Sequence, residues 1–320
     1  MKHLRKNGIE INGSTNKKQL RNLGYYHLYK GYRFYRKSDN RIPFHNFEEI
    51  RRTYEYDADL KSLLYRWTSF LETALKNIIL QTTIEFVKAE SIRDFYDYAL
   101  ESGASLPKNI SPDKKNKATS DKLNEIKFLQ NKIFESYKHG NPIIQHHYDQ
   151  NDEVPIWGLF EILMFGDLGN LVKCLKLDLR KRISKEIGLD LKKDPTARML
   201  EHYIFLIKDL RNAIAHDNVI YDGRFIKNTK SKGIRSGCIT YLMQETGISN
   251  INFYNVEDLL ILVCYLLKLF GVQKRQIKAL VNRYIDITTE FIIDISDKKI
   301  TSLQIREDTI SKAHKILDFL

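Results

Sequence analysis

Cysteine is scarce in this chain of 320 residues: Cys174, Cys238 and Cys264 stand far apart and form no Cys-x-x-Cys pair. A zinc ribbon and a disulfide framework are therefore excluded, and a reducing, cytoplasmic setting is expected. The longest apolar run, "LLILVCYLL" from Leu259 to Leu267, ends at Lys268 and is too short to span a bilayer. It reads as a buried helix, and no membrane partner is expected. The N-terminus lacks the hydrophobic stretch of a secretory leader, so none is expected. No glycine-rich phosphate loop, His-Glu-x-x-His pair or Ser-nucleophile elbow occurs, and "GDLG" at 166–169 reads as a helix break. Neither a metal nor a cofactor is expected. Only six prolines and fifteen glycines leave room for long helices.

What is present is positive charge. The chain is 42% apolar and 29% charged, as a globular protein is, yet carries a net charge of +12. Residues 1–45 hold eleven Lys or Arg against Glu10 and Asp39, a net of +9 that leaves +3 for the rest. Such an arm favours an anionic partner. Its cations alternate with rings through "KKQLRNLGYYHLYKGYRFYRK" (17–37). Rings can stack on unpaired bases while cations neutralise phosphate, so Lys17, Lys18, Arg21, Lys30, Arg33, Arg36 and Lys37 are candidate RNA contacts. The same rings also suit a core, with the cations on a solvated face. A second basic stretch, "GRFIKNTKSKGIRSG" (223–237), adds Arg224, Lys227, Lys230, Lys232 and Arg235. An ordinary basic loop explains it equally well.

Periodicity is helical almost throughout. Leu60, Leu63, Leu64, Trp67, Leu71, Leu75, Ile78 and Ile79 recur at helical spacing in 47–87. Helices are also expected over 123–140, over 154–175 with a kink at Gly166, over 178–188 closed by Gly188, over 194–216 capped by Asp194, and over 255–271, 272–294 and 303–320. The breaker-rich stretch 102–122 reads as an exposed loop. Residues 217–252 read as irregular, with a short hairpin suggested by "GCITYLM". The fold class is all-α. The organisation expected is a basic, Tyr-rich arm over 1–45, then one helical domain over 46–320 with a basic loop or short hairpin after the 195–216 helix. Glu72 and Glu161 stand in apolar helical segments and need partners; Glu161 is a candidate to orient Arg211 or a neighbouring amide.

The segment "LRNAIAH" carries the chemistry. Leu200, Tyr203, Ile207, Leu210 and Ile214 form an apolar stripe, while Asn212 and His216, four apart, share a face turned away from it. An exposed histidine at a helix C-terminus is the plain reading. The other is phosphate chemistry. Histidine can move a proton near neutral pH, and arginine forks onto phosphate. RNA cleavage without metal needs a base, an acid and a cation, so one Arg–His pair makes half of a site that a two-fold dimer completes.

Four blocks then resemble a known family in order: "LGYYHLYKGYRF" (23–34), "FEEIRRTYEYDADLKSLLYRWTSFLETALKN" (47–77), "PIWGLFEILMFGDLGNL" (155–171) and "LRNAIAHDNVIYDGRF" (210–225). They are similar to the Abi-like family of abortive-infection proteins, and "LRNAIAH" resembles the Arg-to-His signature of HEPN domains. The resemblance covers about residues 15–225. It implies a HEPN-like helical bundle with an N-terminal helical extension, and a phage-defence role as a metal-independent endoribonuclease. Arg211 and His216 then fall on the catalytic pair and Asn212 on the polar residue beside it. It also implies RNA as partner, a possible homodimer, and a structured noncoding RNA that restrains the protein as an antitoxin would. A holding module that binds such an RNA without turnover is the alternative. One departure stands out: relatives carry Trp-Asn-Arg after the motif, whereas this chain has Tyr221, Asp222, Gly223 and Arg224, with a negative charge where the pattern is neutral.

Overall fold

The computed structural model describes residues 2–226, 229–295 and 297–320, with side chains described outside 229–235. The chain is all-α, and among the described residues strand pairing is limited to isolated bridges such as Glu10 with Asn46 and Phe34 with Arg41. It divides into two compact units, one of residues 1–69 and 209–320, the other of residues 70–208.

The first unit contains the arm. Gly13–Leu23 is helical and stops at Gly24, whose φ of 77° suits glycine; a wide, π-helical turn, Tyr26–Lys30, follows. Gly24 thus breaks the arm's helix in the middle of its ring-rich stretch. The helix Phe47–Val87 begins here, with Glu48 and Glu49 in its first turn, where they suit the dipole. Val256–Leu269 is buried on every side from Val256 to Leu267, as its unbroken apolar run implies. It packs against Lys274–Asp294 and Thr309–Phe319. No helix among the described residues is long and apolar enough to cross a membrane.

The hairpin expected near 237–243 is not there: Thr229–Thr246 is one helix. Cys238, Tyr241 and Leu242 are buried at helical spacing, so packing overrides the strand-like composition. The basic stretch 223–237 is accordingly helical from Thr229 on.

In the second unit the expected loop 102–122 is largely helix. Pro112–Lys138 starts eleven residues before the expectation, with Pro112 in its first turn. Ser111-Pro112 marks a start here, because proline in the first turn gives up no helical hydrogen bond. The helix packs against Phe165–Cys174, Ile156–Ile162 and Pro142–Asp149. The expected kink at Gly166 lies earlier. Ile156–Ile162 ends at Leu163, and Phe165–Cys174 restarts with Asp167 accepting from the Met164 amide at 3.0 Å. Glu161, expected to need a partner, is exposed, because the short helix buries Ile156, Leu159 and Phe160 instead. Leu177–Ile187 ends at Gly188 in the left-handed region, as expected. The helix Met199–Ala215 starts later than expected. Ala197, at φ 50°, blocks an earlier start, and Asp194 reaches forward to the amides of Arg198 (3.1 Å) and Met199 (2.8 Å).

Gly169 allows a close approach. A Cβ there would lie 2.9 Å from two ring atoms of Phe205 and 3.3 Å from Ile204. Gly169→Ala is expected to cost about 1–3 kcal/mol by overpacking, read in urea denaturation. A cost near zero would mean that the two helices separate freely at that point.

Glu125 is buried beside Cys174, whose Sγ lies 4.0 Å from its carboxylate. Burial, with the charge of Asp167 adding to it, pushes the Glu125 carboxyl up to about 7. The folded chain therefore holds a proton that the unfolded chain releases. This contribution to stability is complete below the ordinary glutamate range and is lost as pH rises through about 7. Glu125→Gln is expected to raise the melting temperature relative to the parent at pH 8 but not at pH 4.5. An equal offset at both would contradict the burial.

Candidate functional site

The segment that follows "LRNAIAH" is built around one buried carboxylate. The helix Met199–Ala215 buries Leu200, Tyr203, Ile207, Leu210 and Ile214, the expected stripe. It ends in a pair of capping bonds, from Asp217 N to Ile214 O (3.1 Å) and from Asn218 N to Ala213 O (2.8 Å). This is the Schellman arrangement, which needs its turn residue in the left-handed region. Glycine usually fills that place; here Asp217 does, at φ 50°. Aspartate tolerates the conformation better than most residues, but not without cost.

Lys61 offsets that cost. Its Nζ lies 2.6 Å from Asp217 Oδ1 and 3.0 Å from Asp57 Oδ2. Asp57 is fully buried. Its Oδ1 accepts the amides of Ile220 (2.9 Å) and Tyr221 (2.8 Å), and its Oδ2 accepts the Tyr32 hydroxyl at 2.9 Å. One carboxylate thus joins the arm, the long helix and the chain after the motif. Burial pushes the Asp57 carboxyl up, against the pull of Lys61 and the two amides. Burial, then the Asp57 charge, raises the Tyr32 hydroxyl well above its ordinary value, so it serves as a donor.

Rings and a second carboxylate complete the support. Tyr221 stacks on Tyr32 with ring centres 6.3 Å apart, and Tyr35 and Tyr56 also adjoin it. Asp222 is fully buried and paired with Arg224 at 2.8 Å. Arg224 also donates to the carbonyls of Gly31 and Phe34, and Asp222 accepts the Arg36 amide at 2.7 Å. The departure at Asp222 therefore has a structural reason: it neutralises a guanidinium that fastens the arm. Gly223, at φ 62°, passes so close to Tyr254 that a Cβ would lie 2.4 Å from its carbonyl oxygen.

On this frame Arg211 and Asn212 are half-buried, with Arg211 Nη1 donating to Asn212 Oδ1 at 3.1 Å. His216 lies one residue beyond the helix, its amide still bonded to Asn212 O at 3.0 Å, and it is exposed. It is not a core histidine. Among the arm candidates Lys17, Lys18, Arg21 and Lys37 are exposed. Lys30 lies over the Tyr26 ring at 4.3 Å. Arg33 is half-buried over Phe34 at 4.5 Å. Arg36 covers the Tyr254 ring at 4.1 Å and donates to the Tyr254 carbonyl at 2.7 Å. Arg224 is taken up inside the fold. Lys227 lies outside the described residues, as do the side chains of Lys230, Lys232 and Arg235. Among the described residues no group of three His, Cys, Asp or Glu is placed to hold a metal.

Sequence reasoning missed Asp57, Lys61 and Asp217. One signal was available. Thr53, Asp57, Leu60, Lys61 and Leu64 follow one helical stripe, and an acid with a base four residues on in a buried stripe marks an internal ion pair.

The molecule is thus an all-helical protein that presents an Arg-Asn pair and an exposed histidine at a capped helix end. A model of the family described as Abi-like protein matches residues 18–222, more than half of the chain, and the chain belongs to that family. The match takes in every partner of Asp57 named above. Membership associates the chain with abortive infection, a form of phage defence. Comparisons with curated proteins and with solved structures each find no match.

Lys61→Met is expected to destabilise the chain by about 3–5 kcal/mol, because it leaves the Asp57 charge buried without its cation. Asp217→Asn, at the exposed end of the same bridge, is expected to cost less than about 1 kcal/mol. Urea denaturation checks both, and equal costs would contradict the asymmetry.

Proposed function

We propose that this protein is an antiphage abortive-infection endoribonuclease of the HEPN type, acting without metal through Arg211 and His216. The observation that carries the reading is the exposed imidazole of His216 at a rigidly capped helix end, one turn from the Arg211–Asn212 pair. His216 moves the proton of the ribose 2′-hydroxyl or of the leaving 5′-oxygen. Arg211 stabilises the charge that builds on the phosphate oxygens, and Asn212 orients the guanidinium. In-line attack leaves a cyclic phosphate and a 5′-hydroxyl. One motif supplies one proton-transfer group, so two copies of the chain pair their motifs to complete the site. The exposed Lys17, Lys18, Arg21 and Lys37 hold the strand. A structured noncoding RNA held in the same way keeps the toxin inactive until infection.

The test is cleavage of a defined RNA in EDTA by the full chain freed of nucleic acid. The expected products carry 2′,3′-cyclic phosphate and 5′-hydroxyl ends. His216→Ala and Arg211→Ala are each expected to reduce the rate by at least about 100-fold with melting unchanged. Activity surviving His216→Ala would overturn the catalytic assignment. RNA binding without turnover by the parent would replace it with the holding module.

A further inference from the structure

The second unit contains a cleft of about 250 Å³. Lys114, Lys117, Asp121 and Lys122 line one wall, from one face of the helix Pro112–Lys138. Lys173 and Cys174, at the end of Phe165–Cys174, and Arg198 line the other, with Glu101 and Leu106 also at its edge. Five cations and two carboxylates line this small space.

The fold pairs two of the five cations and leaves three lysines, Lys114, Lys117 and Lys173, without an ion pair among the described residues. Lys122 is 3.8 Å from Asp97, and Arg198 is spent on Glu201 at 2.9 Å. Behind Glu101 lies Arg180, which is 4% exposed, with a buried Nε that has no hydrogen-bond partner. Its guanidinium is 3.9 Å from Glu101. The neighbours register the crowding. Burial, then the charge of Lys122, holds Lys176 below its ordinary value; burial, then the charge of Arg198, does the same to Arg180. Like charges gathered this closely destabilise the fold unless an anion joins them.

We propose that this cleft binds a nucleoside diphosphate, with the phosphates among Lys117, Lys122 and Lys173 and the nucleoside against Leu106 and Ala118. Charge selects the ligand. A diphosphate ester carries about three negative charges near neutral pH, one for each of the three lysines without an ion pair, whereas orthophosphate carries about two or fewer. Shape selects it as well. The cleft is a bounded pocket with both apolar and cationic lining, and a continuing strand needs a track of cations rather than a pocket. The residues are distinct from Arg211 and His216, so binding here stands or falls apart from the ribonuclease reading.

The experiment is calorimetric titration of the full-length, nucleic-acid-free chain with ADP, with adenosine and orthophosphate as comparators. One ADP is expected per chain, with orthophosphate weaker and adenosine silent. Lys117→Glu combined with Lys173→Glu is expected to weaken ADP by at least about tenfold. Both lysines are exposed and their replacement relieves like-charge repulsion, so the double variant is expected to melt at or slightly above the parent's temperature. His216→Ala is expected to bind ADP as the parent does. Three results would overturn the proposal: no heat with ADP, equal ADP affinity in the double variant, or loss in that variant of binding to a short oligoribonucleotide when ADP never binds.

Discussion

The carboxylate of Asp57 is the constraint on which the candidate site depends. It lies in the helix Phe47–Val87 with no exposure to water. A buried charge in that position must be met by donors or it unfolds its surroundings. The donors come from three places in the sequence: Tyr32 in the arm, Lys61 one helical turn on, and the amides of Ile220 and Tyr221 beyond the motif. Satisfying one atom group therefore fixes the path of the chain just after His216. Lys61 then extends the network to Asp217, whose left-handed backbone ends the motif helix.

The same device recurs within this unit. Asp258 is fully buried at the start of Val256–Leu269, accepts the amides of Asn252 (2.8 Å) and Phe253 (3.0 Å), and pairs with buried Lys312 at 2.8 Å. The loop it holds receives Arg36 through the Tyr254 carbonyl, and Tyr35 through Asn255 Oδ1 at 2.6 Å. Two buried acids thus pin two loops, and the Tyr-rich arm is fastened to both. Several of the arm's rings serve this purpose. Leu28, Tyr29 and Tyr32 are buried, while Tyr26 is 69% exposed. Charge that the sequence suggests for RNA is divided accordingly: Arg36 and Arg224 hold the fold together, and Lys17, Lys18, Arg21 and Lys37 face solvent.

Helical periodicity made the core legible. The stripe from Leu200 to Ile214 and the run from Leu259 to Leu267 are buried as their spacing requires. Punctuation was less legible, because one residue type can mark two things. Pro112 opens a helix although it stands in a breaker-rich stretch, and Ala197 takes a left-handed conformation that its side chain does not announce. "GCITYLM" is helical because its burial pattern, not its β-branched content, meets the core. In the candidate site, spacing alone singles out Arg211, Asn212 and His216 as candidates. Asp57 and Lys61 escape it, since their partners lie up to 164 residues away and only the folded chain brings them together.

Amide hydrogen exchange at Ile220 and Tyr221 tests the central claim most directly. If Asp57 holds these two amides in a buried network, they exchange as slowly as the amides of Val256–Leu269, through opening of the whole unit. Exchange at the rate of an open loop, with Val256–Leu269 still protected, would mean that Asp57 does not fix the chain after His216.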